Sequence, residues 1–426
     1  MNRFVAYDVT RLLVRYAVPS PNGIDRIDLA YARHFLARPG ASSAGVYLHG
    51  LQRATRDRRP ALLDGKTVAG MLAEIEDSWL TGPADTFSGY QRVKDFLRGA
   101  APEVSGKMAS SAPMAERSNR FVRLRLLRPN GLRRALFDRI PTGAAFIHTT
   151  HYPHDHFFRW LKHRPDVKPV FLIHDLLPSQ FPEYFPPDHI AEHHRAMEIF
   201  ARYGAAAIVN TRAVEQQVKS FLAAHGRHDL PVVVKPIPPD AIFVASRDGD
   251  PGLVDTPYFV VCGTIEPRKN HLLLLHVWRE LSRQWGARTP KLVVIGRRGW
   301  ENENVVDLLD RSHELRRHVI EMGGMPTADV ARLMAGARAL LMPSFAEGYG
   351  LPIVEARAAG TPVIAADIPV FREVAPGATF RPPLDGIGWL EAIKFHADRR
   401  VTSRPTVDPG SLSDYFSEIE AFIQSL

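Results

Sequence analysis

Residues 343–369, PSFAEGYGLPIVEARAAGTPVIAADIP, constrain this chain more than any other stretch. The apolar run before them, 337–342, reads as a buried strand. A loop with two glycines follows, Gly348 and Gly350. Pro352 then suits the first turn of a helix, where its missing N–H costs nothing. Residues 353–359 are the expected helix, Gly360 its stop, and 361–366 the next strand. Strand, glycine loop, helix and strand form one unit of an open parallel sheet, which binds ligands at the carboxyl edge of its strands. Glycines let backbone N–H groups approach a ligand, and the helix N-terminus behind them favours a phosphate. Two carboxylates, Glu347 and Glu355, frame the loop. A phosphate needs no acids, but carboxylates accept hydrogen bonds from hydroxyls. A polyol attached to a phosphate, such as the sugar and ribose of a nucleotide sugar, would use both.

The run resembles the donor-site signature of family-four glycosyltransferases, the retaining enzymes of the GT-B fold. Glu347, seven intervening residues, Glu355 and the enclosed Gly-Tyr-Gly-Leu-Pro match that pattern in full. Acids near a helix dipole, worth ~0.3–1 kcal/mol each, would leave both glycines unexplained. The resemblance implies an α/β chain of two Rossmann-like domains facing a central cleft. Residues 1–240 would be the acceptor-binding domain and 241–410 the donor-binding domain, with helix 411–426 packing back on the first.

Bulk properties agree with two domains. The chain has 426 residues, 45% hydrophobic and 23% charged, too long for one typical core. No apolar stretch is long enough to span a bilayer, and the start lacks a continuous signal core, so a cytoplasmic protein is expected. The single cysteine, Cys262, excludes an internal disulfide framework. The net charge of +8 is uneven: residues 1–240 hold 33 Lys+Arg and 23 Asp+Glu, the remainder 21 and 23. No zinc-finger or RNA-binding spacing accompanies the basic half. An anionic membrane surface is therefore preferred to nucleic acid as its partner, through the Arg-rich, apolar-interleaved segment 116–139. Solvated helices covering a sheet are the bland reading of that segment.

Taken in order, 4–9 is a strand, 11–24 a turn-rich loop containing Gly23, and a helical period begins at Ile27. Gly23 and Asn22 face the donor diphosphate by resemblance, or form a plain turn. Residues 52–140 are poorly legible. Strand 144–148 ends in a histidine cluster, and strand 170–173 ends in the His174-Asp175 pair. The spacing fits no zinc pattern, and no metal site is assigned. The resemblance places a histidine beside the donor sugar, with His174 and His148 or His151 at matching positions. His189 and His193 are read as surface residues, 232–239 as linker and Asp248–Asp250 as part of a solvent turn. In the second half, 263–270 leads into an apolar helix; Lys269 matches the lysine that binds the diphosphate, and Arg268 substitutes for an arginine replaced by Thr264. Met322 and Gly323 match the loop that lies against the nucleotide base.

The implied function is transfer of a hexose, GDP-mannose being the favoured donor, to a lipid-linked or saccharide acceptor in cell-surface polysaccharide synthesis. Such an enzyme would retain anomeric configuration and need neither metal nor cofactor. Glu347, His151, His174 and Lys269 would be its catalytic groups. Donor contacts would come from Gly23, Thr264, Arg268, Lys269, Met322, Gly323, Glu347, Gly348, Tyr349, Gly350, Leu351 and Glu355. A membrane-docked scaffold subunit and a nucleotide-sugar epimerase of the same fold are the competing readings.

Overall fold

Short apolar runs form two sheets. In the first, β1 (Val5–Asp8), β2 (Ser43–Tyr47), β3 (Ala61–Leu63), β4 (Ala145–His148), β5 (Lys168–Ile173), β6 (Ala206–Val209) and β7 (Val232–Val234) take the order β3-β2-β1-β4-β5-β6-β7. Only the β2–β3 pair is antiparallel. In the second, β8 (Tyr258–Cys262), β9 (Lys291–Ile295), β10 (Val319–Met322), β11 (Leu340–Met342), β12 (Val363–Ala366) and β13 (Thr379–Arg381) take the all-parallel order β10-β9-β8-β11-β12-β13. Every residue of β1, β4, β6, β8 and β12 is buried, as expected of parallel strands covered on both faces. The computed structural model describes residues 3–15, 21–37, 42–47, 61–63, 65–81, 87–100, 137–151, 154–253, 256–399 and 410–426. The two sheets have the α/β architecture of a GT-B fold.

Strand order locates the functional edge. The chain runs outward from β1 to β2 and β3, then returns to β4 on the other side; in the second sheet β8 is flanked by β9 and β11. Each reversal opens a crevice at the carboxyl ends of the two central strands. The segments after β1 and β4 therefore face that crevice in the first half. The segments after β8 and β11, residues 263–270 and 343–350, face it in the second.

Several expectations for the first half change. Residues 11–24 are not all loop: α1 (Thr10–Arg15) starts directly after β1, because Asp8 Oδ1 accepts from Thr10 N at 2.9 Å. The next helix, α2 (Gly23–Leu36), begins before Ile27 and is capped reciprocally by Asn22 and Asp25. The expected linker contributes β7. Helices Gly65–Thr81 and Phe87–Leu97 occupy part of the stretch that resisted reading. Asp250 is not a solvent-turn residue, since Tyr90 Oη (2.8 Å) and Lys94 Nζ (2.6 Å) both donate to it. Of the Arg-rich segment, only 137–139 lie within the described residues. Among the described residues no helix is long and apolar enough to cross a membrane.

The helix Leu412–Gln424 lies on α2. Tyr31 and Tyr415 hydroxyls are 2.6 Å apart, His34 Nε2 is 2.7 Å from Glu420, and the His34 ring stacks on Phe416.

Candidate active site

The loop after β8 supplies two cations to the loop after β11. Arg268 Nη1 donates to Glu347 Oε2 at 2.6 Å and to the Ala346 carbonyl at 3.1 Å; its Nη2 pairs with Glu266 at 2.6 Å. Lys269 Nζ donates to Glu347 Oε1, which also accepts from Ser344 Oγ at 2.8 Å. Burial alone would raise the Glu347 pKa, but Arg268 and Lys269 outweigh it and hold it at about 2. Arg268 is raised despite its burial, by Glu347 and Glu266. Burial, assisted by Arg268, lowers Lys269 against the pull of Glu347. Glu266 is raised because burial exceeds the attraction of Arg268. Such a cluster holds a fixed anion–cation arrangement ready where charge can develop, with little reorganisation.

The glycines earn their positions by close approach. Gly350 has φ 90° and caps the helix Leu351–Ala358. A Cβ at Gly348 would overlap the His174 carbonyl and sit 2.7 Å from Asp175 Cβ. Gly348→Ala should therefore force the two halves apart, at a cost of about 1–3 kcal/mol typical of overpacking. A lowered denaturation midpoint would register this; an unchanged midpoint would refute it. The loop is held from both sides: Thr211 Oγ1 donates to the Gly348 carbonyl at 3.2 Å, and Tyr349 Oη to the Ile237 carbonyl at 2.7 Å.

Glu355 is 2% exposed and pairs with Arg26 of α2 at 2.5 Å. Arg26 also lies over the Phe243 ring, at 6.0 Å. Burial raises the Glu355 pKa, with Arg26 opposing it. Gly23, at the start of α2, stands opposite Leu351, whose Cδ2 would lie 3.5 Å from a Cβ at that glycine.

The first half presents histidines. His174 Nε2 is 2.8 Å from the Thr149 carbonyl. A carbonyl only accepts, so Nε2 carries the proton and Nδ1 keeps its lone pair. Burial lowers the pKa of His174 and, helped by neighbouring His193 and His174, places His151 well below the ordinary value; both rings are neutral at neutral pH. Their centroids are 5.6 Å apart. Thr149 Oγ1 in turn donates to Asp28 Oδ1 at 2.6 Å, which Tyr7 Oη also approaches. Burial raises that fully enclosed carboxyl to about 7.

A family model, Glycosyl transferases group 1, matches residues 249–378, a span that contains both cationic and acidic loops. Residues 249–378 are a glycosyl transferases group 1 domain. The serotype-specific mannosyltransferase WbdA of Escherichia coli is 30% identical over 223 residues, covering 48% of this chain and 26% of WbdA. The O-antigen chain mannosyltransferase B of Escherichia coli is 38% identical over 117 residues, covering 28% of this chain and 30% of that protein. The chain thus spans about a quarter to a third of the length of these curated relatives. Among solved structures, Anabaena HepE in complex with UDP and glucose aligns over 100% of both chains with TM-score 0.58 at 14% identity. The trehalose 6-phosphate synthase of Burkholderia multivorans aligns over 100% of this chain and 97% of its own, with TM-score 0.59 at 14% identity. These two likenesses bear on the fold alone.

Within the group 1 domain, Arg268, Lys269, Glu347 and Gly348 converge at the crevice. Gly350 and Leu351 carry the chain from there into the helix holding Glu355. The Tyr349 side chain is committed to the linker carbonyl. Thr264 packs on the loop at Gly299, its Cγ2 lying 2.8 Å from where a Cβ at that glycine would stand. Met322 closes β10 and faces Gly89 of the first half, with Gly323 following. Outside the group 1 domain, His148 is taken up by Asp8, to whose Oδ2 Nδ1 donates at 2.7 Å, and lies edge-on to Phe158 and Phe171. His193 is not a surface residue. It is 7% exposed, with Nε2 toward the Asp175 carbonyl and its ring 5.6 Å from His151. Among the described residues no three His, Cys, Asp or Glu side chains form a group that could hold a metal ion. Sequence reading missed Arg26, Glu266 and the Tyr7–Asp28–Thr149 cluster. Arg26 stands only three residues beyond Gly23, a signal that was available.

Proposed function

We propose that this chain is a retaining glycosyltransferase that moves a hexose from a nucleotide sugar, GDP-mannose first among candidates, to a lipid-linked or saccharide acceptor of cell-surface polysaccharide. The observation that carries this reading is the convergence of Arg268 and Lys269 on Glu347 beside the glycine loop of a group 1 domain. The printed names of the mannosyltransferase relatives support the choice of sugar.

As the bond from C1 to the leaving phosphate breaks, negative charge grows on the phosphate. Lys269, Arg268 and loop N–H groups stabilise it, the role that usually supplies the largest catalytic term. The acceptor oxygen bonds to C1 on the face the phosphate leaves, and its proton passes to a phosphate oxygen, so no protein base is required. Glu347 holds hydroxyls of the transferred sugar, Glu355 holds the ribose, and neutral His174 accepts a hydrogen bond from a sugar hydroxyl at Nδ1. Work at the cytoplasmic face of a membrane belongs to the same reading; the Arg-rich, apolar-interleaved sequence of 116–139 supports it.

Incubation with a panel of nucleotide sugars tests the reading by release of nucleoside diphosphate. Release that needs an acceptor supports a transferase. Binding without release indicates a scaffold, and acceptor-independent isomerisation an epimerase. With Lys269 and Arg268 supplying the cationic charge, excess EDTA should leave the rate unchanged; loss of activity would overturn the metal-free mechanism.

A further inference from the structure

Two loops at the carboxyl edge of the second sheet are joined to each other. Ile265, in the loop after β8, donates from its N–H to the Arg297 carbonyl at 2.8 Å. Its own carbonyl accepts from Gly299 N at 2.9 Å and from Asn302 Nδ2. A Cβ at Gly299 would stand 2.8 Å from that same carbonyl, so the two backbones approach as closely as glycine allows. Residues 296–302, after β9, are therefore tied to the segment that carries Arg268 and Lys269.

At the tip of this second loop Trp300 reaches the first half. Its indole Nε1 donates to the Tyr184 carbonyl at 3.0 Å, and the rings of Phe185 and His189 lie 6.3 and 5.1 Å from its own. Among the described residues this is the one hydrogen bond from either loop to the first half. The Tyr184 ring stacks on Phe345 at 5.6 Å, and Phe345 N donates to the Arg268 carbonyl at 2.8 Å. Tyr184 thus meets both loops that build the Arg268–Lys269–Glu347 cluster, one through its carbonyl and the other through its ring.

The backbone is strained at the same place. Among the described residues only Asn270 and Glu301 are non-glycine residues with positive φ, 55° and 50°. The first ends the loop after β8, and the second follows Trp300. L-residues held in this region cost free energy and persist where the surrounding contacts over-determine them. The Glu301 side chain is exposed, so the turn is held through its neighbours, Trp300 and Asn302.

The cation cluster closes within the second half, where Arg268 and Lys269 meet Glu347. Placing the cations against the first half needs a separate tie. We propose that Trp300 is a positioning residue: bonded to the Tyr184 carbonyl, it fixes the loop of Arg268 and Lys269 relative to the first half of the chain. This rests on the glycosyltransferase reading. A misplacement of about 1 Å at a reacting centre can cost about 100-fold in rate.

Trp300→Ala should lower turnover about 10- to 100-fold, read as nucleoside diphosphate release in the donor panel above. The calorimetric Kd for the matching nucleoside diphosphate should shift less than about threefold, because the cluster itself stays whole. Trp300→Phe, which keeps a ring and loses the N–H, should recover part of the turnover. Glu301→Val, disfavoured at positive φ, should resemble Trp300→Ala, whereas Glu301→Gly should keep wild-type turnover. Melting curves of each variant report whether the fold survives. Equal losses of turnover and diphosphate affinity would mean local collapse of the loop and would overturn the proposal. Wild-type turnover in Trp300→Ala or in Glu301→Val would overturn it too. Hydrogen exchange gives a readout that needs no substrate: in Trp300→Ala, amides of 181–189 and of 263–270 should both exchange faster. Faster exchange confined to 296–302 would overturn the tie. Should wild type release no diphosphate from any donor, the glycosyltransferase reading falls, and the exchange result alone decides whether Trp300 joins the halves.

Discussion

Replacing Glu347 with glutamine should cut turnover at least ~100-fold, the scale seen when one preorganised electrostatic group is lost. Affinity for nucleoside diphosphate should meanwhile hold or rise. Glu347 is the shared counter-anion of Arg268 and Lys269. In the free protein those cations are satisfied internally, and an incoming diphosphate must compete with the carboxylate for them. Glutamine keeps the shape but withdraws the charge, so the cations become more available to phosphate while the sugar loses its ionic hydroxyl acceptor. Without ligand the variant should be less stable, because breaking a buried pair costs ~3–5 kcal/mol. Added diphosphate should restore much of that loss. Wild-type turnover would remove Glu347 from the chemistry. A parallel drop in diphosphate affinity would show instead that the carboxylate only shapes the loop.

The second large effect concerns Glu355. Glu355→Ala should weaken nucleoside diphosphate binding about 10- to 100-fold, the range expected for hydrogen bonds to a buried charge. Unchanged affinity would refute the ribose role. Arg26 supplies a finer control. It is the cation that opposes the burial-driven rise of the Glu355 pKa, so Arg26→Met should let that pKa climb further. Ribose hydroxyls donate to an ionised carboxylate, and protonation occupies part of its acceptor capacity. Binding to the variant should therefore fall as pH is lowered through the raised pKa, whereas wild type should stay flat over the same window. Identical pH profiles would leave Arg26 as no more than a brace between halves. The linkage sign follows from the direction of the shift. A carboxyl raised in the folded state takes up protons that the unfolded chain does not, so its ionisation weakens the fold as pH rises through the interval between the two values.

The second half was legible almost residue by residue. Strands at 258–262, 291–295 and 319–322 were read with the limits they have in the fold. β8 is an unbroken apolar run and β9 is apolar after Lys291, each followed by glycine, Gly263 and Gly296; β10, Val-Ile-Glu-Met, is likewise followed by Gly323. The loop at 343–350 was legible because its two glycines, with Pro352 beyond, leave few alternatives to strand, loop and helix. The first half hid its elements behind local chemistry. Pro19, Pro21 and the Asn22-Gly23 pair suggested a long loop, yet Asp8 starts a helix at Thr10, and Asn22 with Asp25 starts another. An Asn followed three residues later by an acid is a capping signal that could have been weighed above the turn reading. His193 was misjudged because its i, i+4 partner is a surface histidine; Met197 and Phe200, four and seven residues on, share its buried face. The partners of Glu355 and His174 were out of reach for another reason. Arg26–Glu355 and Thr149–His174 join residues that only folding brings together, and single-sequence patterns carry no such pairing.

The α2 helix has a mechanical consequence. One end bears Arg26, set against Glu355; farther along, Tyr31 and His34 are gripped by Tyr415, Phe416 and Glu420. A rigid rod held at both places transmits a tug at its far arm to the near one. Anything that seizes residues 412–424, a fused tag or a docked protein, should thus be felt as a change in nucleotide grip some distance away, and the affinity measured with and without that load gives the leverage.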